Sequence, residues 1–512
     1  MVSRTTTCQQ LGTRVALATV EAEILNGFTA FFIVGLAQTS VQESKERIRS
    51  ALASMDLQWP VGRLIVNLVP GNLPKGGTHW DLPIAVAIFQ AMELISPKRT
   101  ENFGFFGELS LDGTLCGVEG AYAFAEGMRD AGVTNLILPQ ENVEACKFVP
   151  GVSLYGATDV QSVFRFLRGG DVLSCTKGRQ GLREERAQVG DYADIRGQST
   201  LKRLMEIAAA GGHAALVIGP PGVGKTMAVR RLPGILPPLT EKEKSEIYRL
   251  HSLYGGDSSG SVRRPFRTVH HTITRAALLG GGVPFGFGEV SLAHGGILFF
   301  DELLEFPRRT LELLRVPMEK KILQVVRGRQ IWDLPCDFQL MAASNPCPCG
   351  NYGDDTRACT CPMATVQQYR EHLSAAMCDR FDLCLEVRRR DEKKPLPVPK
   401  AERQDGNTDA MRRRVESARL RQENRYAGLS FSKNADFPDS GNVNLLNPTA
   451  AAKQALTSLE RSTALSERAL RKILLVARTI ADLEGTALGE EEVLEAFYFR
   501  RYGLDFRRQN LV

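Results

Sequence analysis

Residues 214–226 read Ala-Ala-Leu-Val-Ile-Gly-Pro-Pro-Gly-Val-Gly-Lys-Thr, and this stretch constrains the fold more than any other. The apolar run Ala214 to Ile218 predicts a buried parallel strand. It feeds a turn made of Gly219, Pro220, Pro221, Gly222, Val223 and Gly224, after which Lys225 and Thr226 open a helix. The spacing is G-x-x-x-x-G-K-[ST] in its strand–loop–helix setting. Glycines let backbone N–H groups converge on phosphate oxygens, and the helix N-terminus adds positive potential. Lys225 is placed to reach the β/γ-phosphates and Thr226 to ligate Mg²⁺. The expected fold is therefore α/β, built on a P-loop that binds ATP and Mg²⁺.

A second stretch supplies acids. Gly296-Ile-Leu-Phe-Phe-Asp-Glu302 is an apolar strand ending in two carboxylates. Such a strand delivers them to the C-terminal edge of a parallel sheet, where ligands bind. Asp301 is expected to hold the Mg²⁺ shell and Glu302 to polarise the attacking water. The plain alternative is an acidic helix N-terminus.

At 512 residues the chain is expected to form two to four domains. Its 43% hydrophobic and 24% charged content is that of a globular protein. No apolar stretch reaches the length of a membrane span, and Met1 to Gln10 lacks the apolar core of a signal peptide. Eleven cysteines, four of them clustered, argue against a secreted disulfide framework. A cytoplasmic setting with no membrane partner is expected. The net charge of +6 permits an anionic partner without demanding one.

Periodicity over 1–168 predicts strands at 15–23, 30–36, 63–69 and 135–139, and helices at 41–55, 82–95, 121–131 and 160–167. It also predicts a hairpin at 103–115 turning on Asp112-Gly113, a type I′ signal. With Pro74-Lys-Gly-Gly77, Gly107-Glu-Leu-Ser-Leu-Asp-Gly113 and Ile137-Leu-Pro-Gln-Glu-Asn142, this order resembles the protease domain of Lon, an α+β fold of the ribosomal S5 domain 2-like type. Where the resemblance calls for a nucleophilic serine, the chain has Thr78, His79, Trp80 and Asp81. Its dyad lysine falls near Phe124, and 114–132 contains no lysine. Thr78 with Lys75 is a poor substitute, because a hydroxyl needs an adjacent base. The domain is expected to be non-proteolytic and to serve binding or assembly.

Residues 169–190 turn polar and read as a linker. An α/β core is expected over 191–390, a charged linker over 391–448 containing a basic helix at 412–425, and a helical lid over 449–512. Ile322 to Val326 and Ile331 to Leu334 predict a hairpin around Arg327-Gly-Arg-Gln330. The strand Phe338 to Ala343 leads to Asn345.

These parts resemble an AAA+ module, a parallel sheet with a helical lid. That resemblance implies that Asn345 reaches the γ-phosphate and lytic water, that Arg380 acts in trans on a neighbouring subunit's ATP, and that Arg468 is the lid's sensor. Further stretches are more specific: Arg264-Pro-Phe-Arg-Thr-Val-His-His-Thr-Ile273, Gly280-Gly-Gly282, Gly288 through Gly296, Asn345-Pro-Cys-Pro-Cys-Gly350 and Ala477 through Leu483. Together they resemble the ComM/YifB family of magnesium-chelatase-like AAA+ proteins across nearly the whole chain. The resemblance implies a bacterial homo-hexamer that migrates branched DNA in recombination and natural transformation. It implies too that the segment between phosphate loop and acidic strand, and the 321–334 hairpin, face a central pore where Arg327 and Arg329 meet DNA phosphates. Val269 and Ser374-Ala-Ala-Met-Cys378 depart from the family pattern.

Cys347, Cys349, Cys359 and Cys361 form C-x-C, nine residues, C-x-C. Four thiolates on one loop suit a single tetrahedral Zn²⁺. The rival to a DNA motor with the same ATPase core is the motor subunit of a metal-insertion chelatase. A protease and a non-hydrolysing assembly protein are weaker alternatives.

Overall fold

A computed structural model of the chain describes residues 2–256, 259–282, 285–327, 330–354, 356–389, 406–463 and 465–508. They cluster into two compact units: Met1–Glu184 with Glu241–Val262 and Gln324–Leu334, and Glu185–Thr240 with Arg263–Leu323 and Pro335–Val512.

The first unit is built on an eight-stranded mixed sheet. Its spatial order is Cys175–Lys177, Ser153–Ala157, Asn135–Pro139, Phe103–Phe105, Ser3–Leu11, Arg14–Leu25, Arg63–Val69 and Ala30–Val34. The strand Ser3–Leu11 was not foreseen, because its sequence Ser-Arg-Thr-Thr-Thr-Cys-Gln-Gln-Leu carries little apolar signal. It is nonetheless central, antiparallel to Arg14–Leu25 and parallel to Phe103–Phe105. Two of its inward hydroxyls are satisfied by a helix: Ser3 Oγ donates to the Ala87 carbonyl at 2.7 Å and Thr5 Oγ1 to the Pro83 carbonyl at 2.9 Å. That helix, Asp81–Ala91, is almost entirely buried, which fits its continuous apolar sequence.

The expected 103–115 hairpin is smaller than its sequence suggested. Phe103–Phe105 joins the main sheet, and only Glu108–Leu109 pairs with Leu115–Cys116. The Ser110 N–H donates to the Thr114 carbonyl and the Gly113 N–H to the Ser110 carbonyl. The loop is thus the three residues Leu111-Asp112-Gly113, not a two-residue type I′ turn. Gly113 takes φ +88°, the left-handed position such a loop closes on.

Two excursions from the stretch of sequence that forms the second unit complete this one. Helix Glu241–Ser252 lies on helix Ala121–Asp130: the Tyr122 and Tyr248 rings meet edge to face at 4.8 Å, and Ser245 Oγ donates to Glu126 at 3.1 Å. The hairpin Ile322–Arg327/Gln330–Pro335 reaches the Gly12 turn, where a Cβ on Gly12 would stand 3.1 Å from Trp332 Cβ. Thr13 Oγ1 donates to the Asp333 carbonyl at 3.3 Å.

The second unit carries a five-stranded parallel sheet in the order Phe266–Val269, Ile297–Phe300, Gln339–Ser344, Ala215–Ile218, Leu383–Glu386. The phosphate-loop strand is interior and buried throughout, as its apolar run demands. Helices Thr408–Arg425, Ala450–Thr463, Glu467–Glu484 and Glu490–Arg508 form the helical part. It shares one apolar core with the sheet, and buried polar contacts cross the join. His213 contacts Asp382 at 3.3 Å and Thr479 at 2.8 Å, and Arg203 pairs with Glu495 and Glu484, each at 2.8 Å. Removing one partner from such a network costs about 3–5 kcal/mol. The linker expected from 391 lies outside the described residues as far as 405, and helix Thr408–Arg425 follows it directly.

Candidate nucleotide site

The strand Ala215–Ile218 ends at Gly219, and helix Lys225–Arg230 begins six residues on. Between them Gly219, Pro220, Pro221, Gly222, Val223 and Gly224 form the loop. Lys225 is buried, and its ammonium donates to the carbonyls of Gly219 at 2.5 Å and Pro220 at 2.9 Å, and to Asn345 Oδ1 at 3.2 Å. Burial pushes its pKa down to about 8 against the pull of Asp301, and the Arg389 charge adds to the push. The ammonium is thus curled onto its own loop, where phosphate oxygens would replace neutral carbonyls.

Thr226 Oγ1 donates to Asp301 Oδ1 at 3.1 Å. A hydroxyl and a carboxylate converging beside a phosphate-binding lysine are oxygen donors of the kind Mg²⁺ takes together with substrate phosphates. Two adjacent parallel strands, Ile297–Phe300 and Gln339–Ser344, bring Asp301 and Asn345 to the same sheet edge. Glu302 is exposed and has φ +55°, unusual for a residue with a side chain. Holding it there costs about 1–3 kcal/mol, the kind of strain that collects at functional sites.

Arg380 and Arg468 do not join this cluster. The Arg380 guanidinium pairs with Glu319, a partner not foreseen from sequence. Its backbone is fixed by Lys472, whose ammonium donates to the carbonyls of Asp379 at 2.6 Å and Arg380 at 3.2 Å and to Asp382 at 2.6 Å. Ser374 caps the short helix Ala375–Cys378 just before it. Arg468 is exposed in the first turn of helix Glu467–Glu484.

The four clustered cysteines come together and could hold a metal. Their sulfurs all lie within 4.8 Å of one another. Cys347 and Cys349 are 3.4 Å apart, Cys349 and Cys359 3.5 Å, and Cys347 and Cys359 3.7 Å. A tetrahedron of thiolates about 2.3 Å from an ion has edges of about 3.8 Å, so the set is close to that geometry. The N–H groups of Asn351 and Thr360 pull the pKa of the Cys349 thiol down, whereas desolvation and the neighbouring sulfurs push that of Cys359 up to about 12, so without a cation the four do not ionise together.

The protease-like constellation is taken apart in the first unit. Lys75 is buried with its ammonium on the Pro70 carbonyl, and Thr78 Oγ1 donates to Glu108. His79 Nε2 donates to the Cys8 carbonyl at 3.0 Å, and burial pushes its pKa down to about 4. Arg327 ends the strand Ile322–Arg327, its side chain outside the described residues, and Arg329 lies outside them entirely.

Sequence comparisons agree with this layout. Residues 191–395 match the model of magnesium chelatase, subunit ChlI; 20–142 match that of subunit ChlI of Mg-chelatase; and 405–500 match the ChlI C-terminal model. YifB of Salmonella typhimurium is 38% identical over 500 residues, 96% of this chain and 95% of its own. The competence protein ComM of Haemophilus influenzae is 36% identical over 489 residues, 93% of this chain and 92% of its own. The Lon protease of Brevibacillus choshinensis is 25% identical over 138 residues, 26% of this chain and 18% of its own. With the phosphate loop, the acidic strand and the helical part all present, the chain belongs to the ComM/YifB family of magnesium-chelatase-like AAA+ proteins.

Proposed function

We propose that the chain is an ATP-hydrolysing ring motor that acts on branched DNA in the bacterial cytoplasm, in recombination and natural transformation. The observation that carries the ATPase part is the convergence of Lys225, Asn345, Thr226 and Asp301 at one sheet edge. Lys225 binds the β/γ-phosphates, Thr226 and Asp301 hold Mg²⁺, and Asn345 and Glu302 orient the water. Magnesium supplies charge neutralisation on the phosphates. Arg380 completes the site of the neighbouring subunit in a hexamer, Arg468 senses nucleotide from the lid, and Arg327 and Arg329 meet DNA phosphates. The competence name of the Haemophilus relative supports the DNA part. The cysteine loop holds one structural Zn²⁺, as its four-sulfur donor set favours.

Glu302→Gln is expected to bind ATP normally and to turn it over about 100-fold or more slowly, the scale of a lost general base. The decisive assay is four-way-junction unwinding with ATP, run beside the Glu302→Gln protein. Unchanged turnover in that variant, or a chain that stays monomeric with ATP and DNA, defeats the reading. The chelatase descriptions of the matching models favour a second reading, the motor of a metal-insertion complex. ATPase activity stimulated by DNA separates the two.

A further inference from the structure

The cysteine loop is built against the phosphate loop. Asn345, which accepts from Lys225, stands two residues before Cys347, a fully buried thiol. Gly350 follows in a tight turn, its N–H donating to the Cys347 carbonyl at 2.9 Å. It takes φ +79°, and a Cβ there would stand 2.8 Å from Pro221 Cδ. The knuckle backbone therefore lies on the ring of a phosphate-loop residue with no room between them.

The rest of the loop closes round the same place. The Tyr352 N–H donates to Cys347 Sγ at 3.3 Å, and the Arg370 guanidinium sits 4.6 Å from the centre of the Tyr352 ring. The Asp354 carboxylate, 1% exposed, pairs with Arg389 at 2.6 Å. Gly219, Pro220, Pro346, Tyr352, Asp354 and Arg389 share the lining of one small pocket.

We propose that the four-cysteine loop is a metal-dependent brace for the phosphate loop, so that the ion it holds sets the affinity for the nucleoside triphosphate. This rests on the metal reading above. Between the strand Gln339–Ser344 and helix Met363–Arg370 the described residues form no helix or strand, so side-chain ties must hold the loop's shape. Four thiolates within 4.8 Å repel one another unless a cation joins them. Removing the ion frees both C-x-C arms and with them the Gly350 contact on Pro221. A phosphate loop works by presenting N–H groups already in position, so a slack loop binds more weakly.

The test uses the full chain at constant Mg²⁺. Bound zinc is measured by elemental analysis and affinity by titration with a fluorescent ATP analogue. The expected result is one zinc per chain, affinity about tenfold weaker after a zinc-selective chelator, and recovery on adding zinc back. Gly350→Ala is expected to keep its zinc yet bind the analogue about tenfold more weakly, because the added Cβ crowds Pro221 and strains the positive-φ turn while leaving all four sulfurs in place. Cys359→Ser is expected to lose both zinc and affinity. A folded protein without zinc defeats the metal reading itself. Zinc that comes and goes with no change in affinity, or a Gly350→Ala protein that binds like the parent, overturns the brace while leaving the metal site standing.

Discussion

Lys75 and Lys225 are both buried lysines on glycine- and proline-rich turns, one in each unit. Burial lowers the pKa of both. Their surroundings differ. Lys225 stands at the C-terminal edge of a parallel sheet, with Asp301 and Glu302 close enough to act on its charge and Asn345 as a partner. The Lys75 ammonium rests on the Pro70 carbonyl, and the neighbouring hydroxyl of Thr78 is spent on Glu108. A desolvated ammonium is a site only where other groups converge on the same point. In the protease-like domain they have dispersed, and the lysine serves the turn.

The contrast breaks most sharply by mutation. Lys225→Ala is expected to weaken ATP binding by about 100-fold or more, the loss of charge-assisted bonds to phosphate, whereas Lys75→Met is expected to leave it within about twofold. Titration with a fluorescent nucleotide decides, and a Lys75 effect as large as that of Lys225 would end the comparison.

Acid sharpens it from the other side. His79, four residues after Lys75, is held neutral with a pKa of about 4 against an ordinary 6.5. The unfolded chain binds a proton there between those values and the folded chain does not, so stability is lost as pH falls from 6.5 towards 4. The loss is on the order of 3 kcal/mol, and His79→Gln, which keeps a donor for the Cys8 carbonyl, is expected to flatten that slope in denaturant melts.

A smaller effect tests Lys225 at the alkaline end. Its pKa of about 8 must rise when phosphate binds. ATP affinity is therefore expected to hold below pH 8 and to fall above it, by up to about tenfold per pH unit. Flat affinity to pH 9.5 would mean either that burial does not depress the ammonium's pKa or that the ammonium is not a phosphate ligand.

What sequence disclosed follows from how local the signal is. Glycine spacing, an apolar strand and the residue after it lie within a dozen positions, so Lys225, Thr226, Asp301 and the strand before Asn345 were legible. The clustering of four thiols was legible because they share one loop. The strand Ser3–Leu11 was hidden because hydroxyls bonded to a helix do the inward-facing work usually done by aliphatics. The partners Glu319 of Arg380 and Asp354 of Arg389 lie far along the chain from them, and no periodicity announces such pairs. The Asp112-Gly113 dipeptide marked a turn correctly but not its length, since Gly113 serves a three-residue loop equally well.

The segments Glu241–Val262 and Gln324–Leu334 belong to the first unit although they are coded in the midst of the second. A clone cut after Glu184 would lack the helix that covers Tyr122 and the strand that lies on Gly12. Such a fragment would expose apolar side chains to solvent and tend to aggregate, and its failure to fold would say nothing about the domain's role. Dissecting this protein calls for point changes or for grafts that carry both borrowed pieces along.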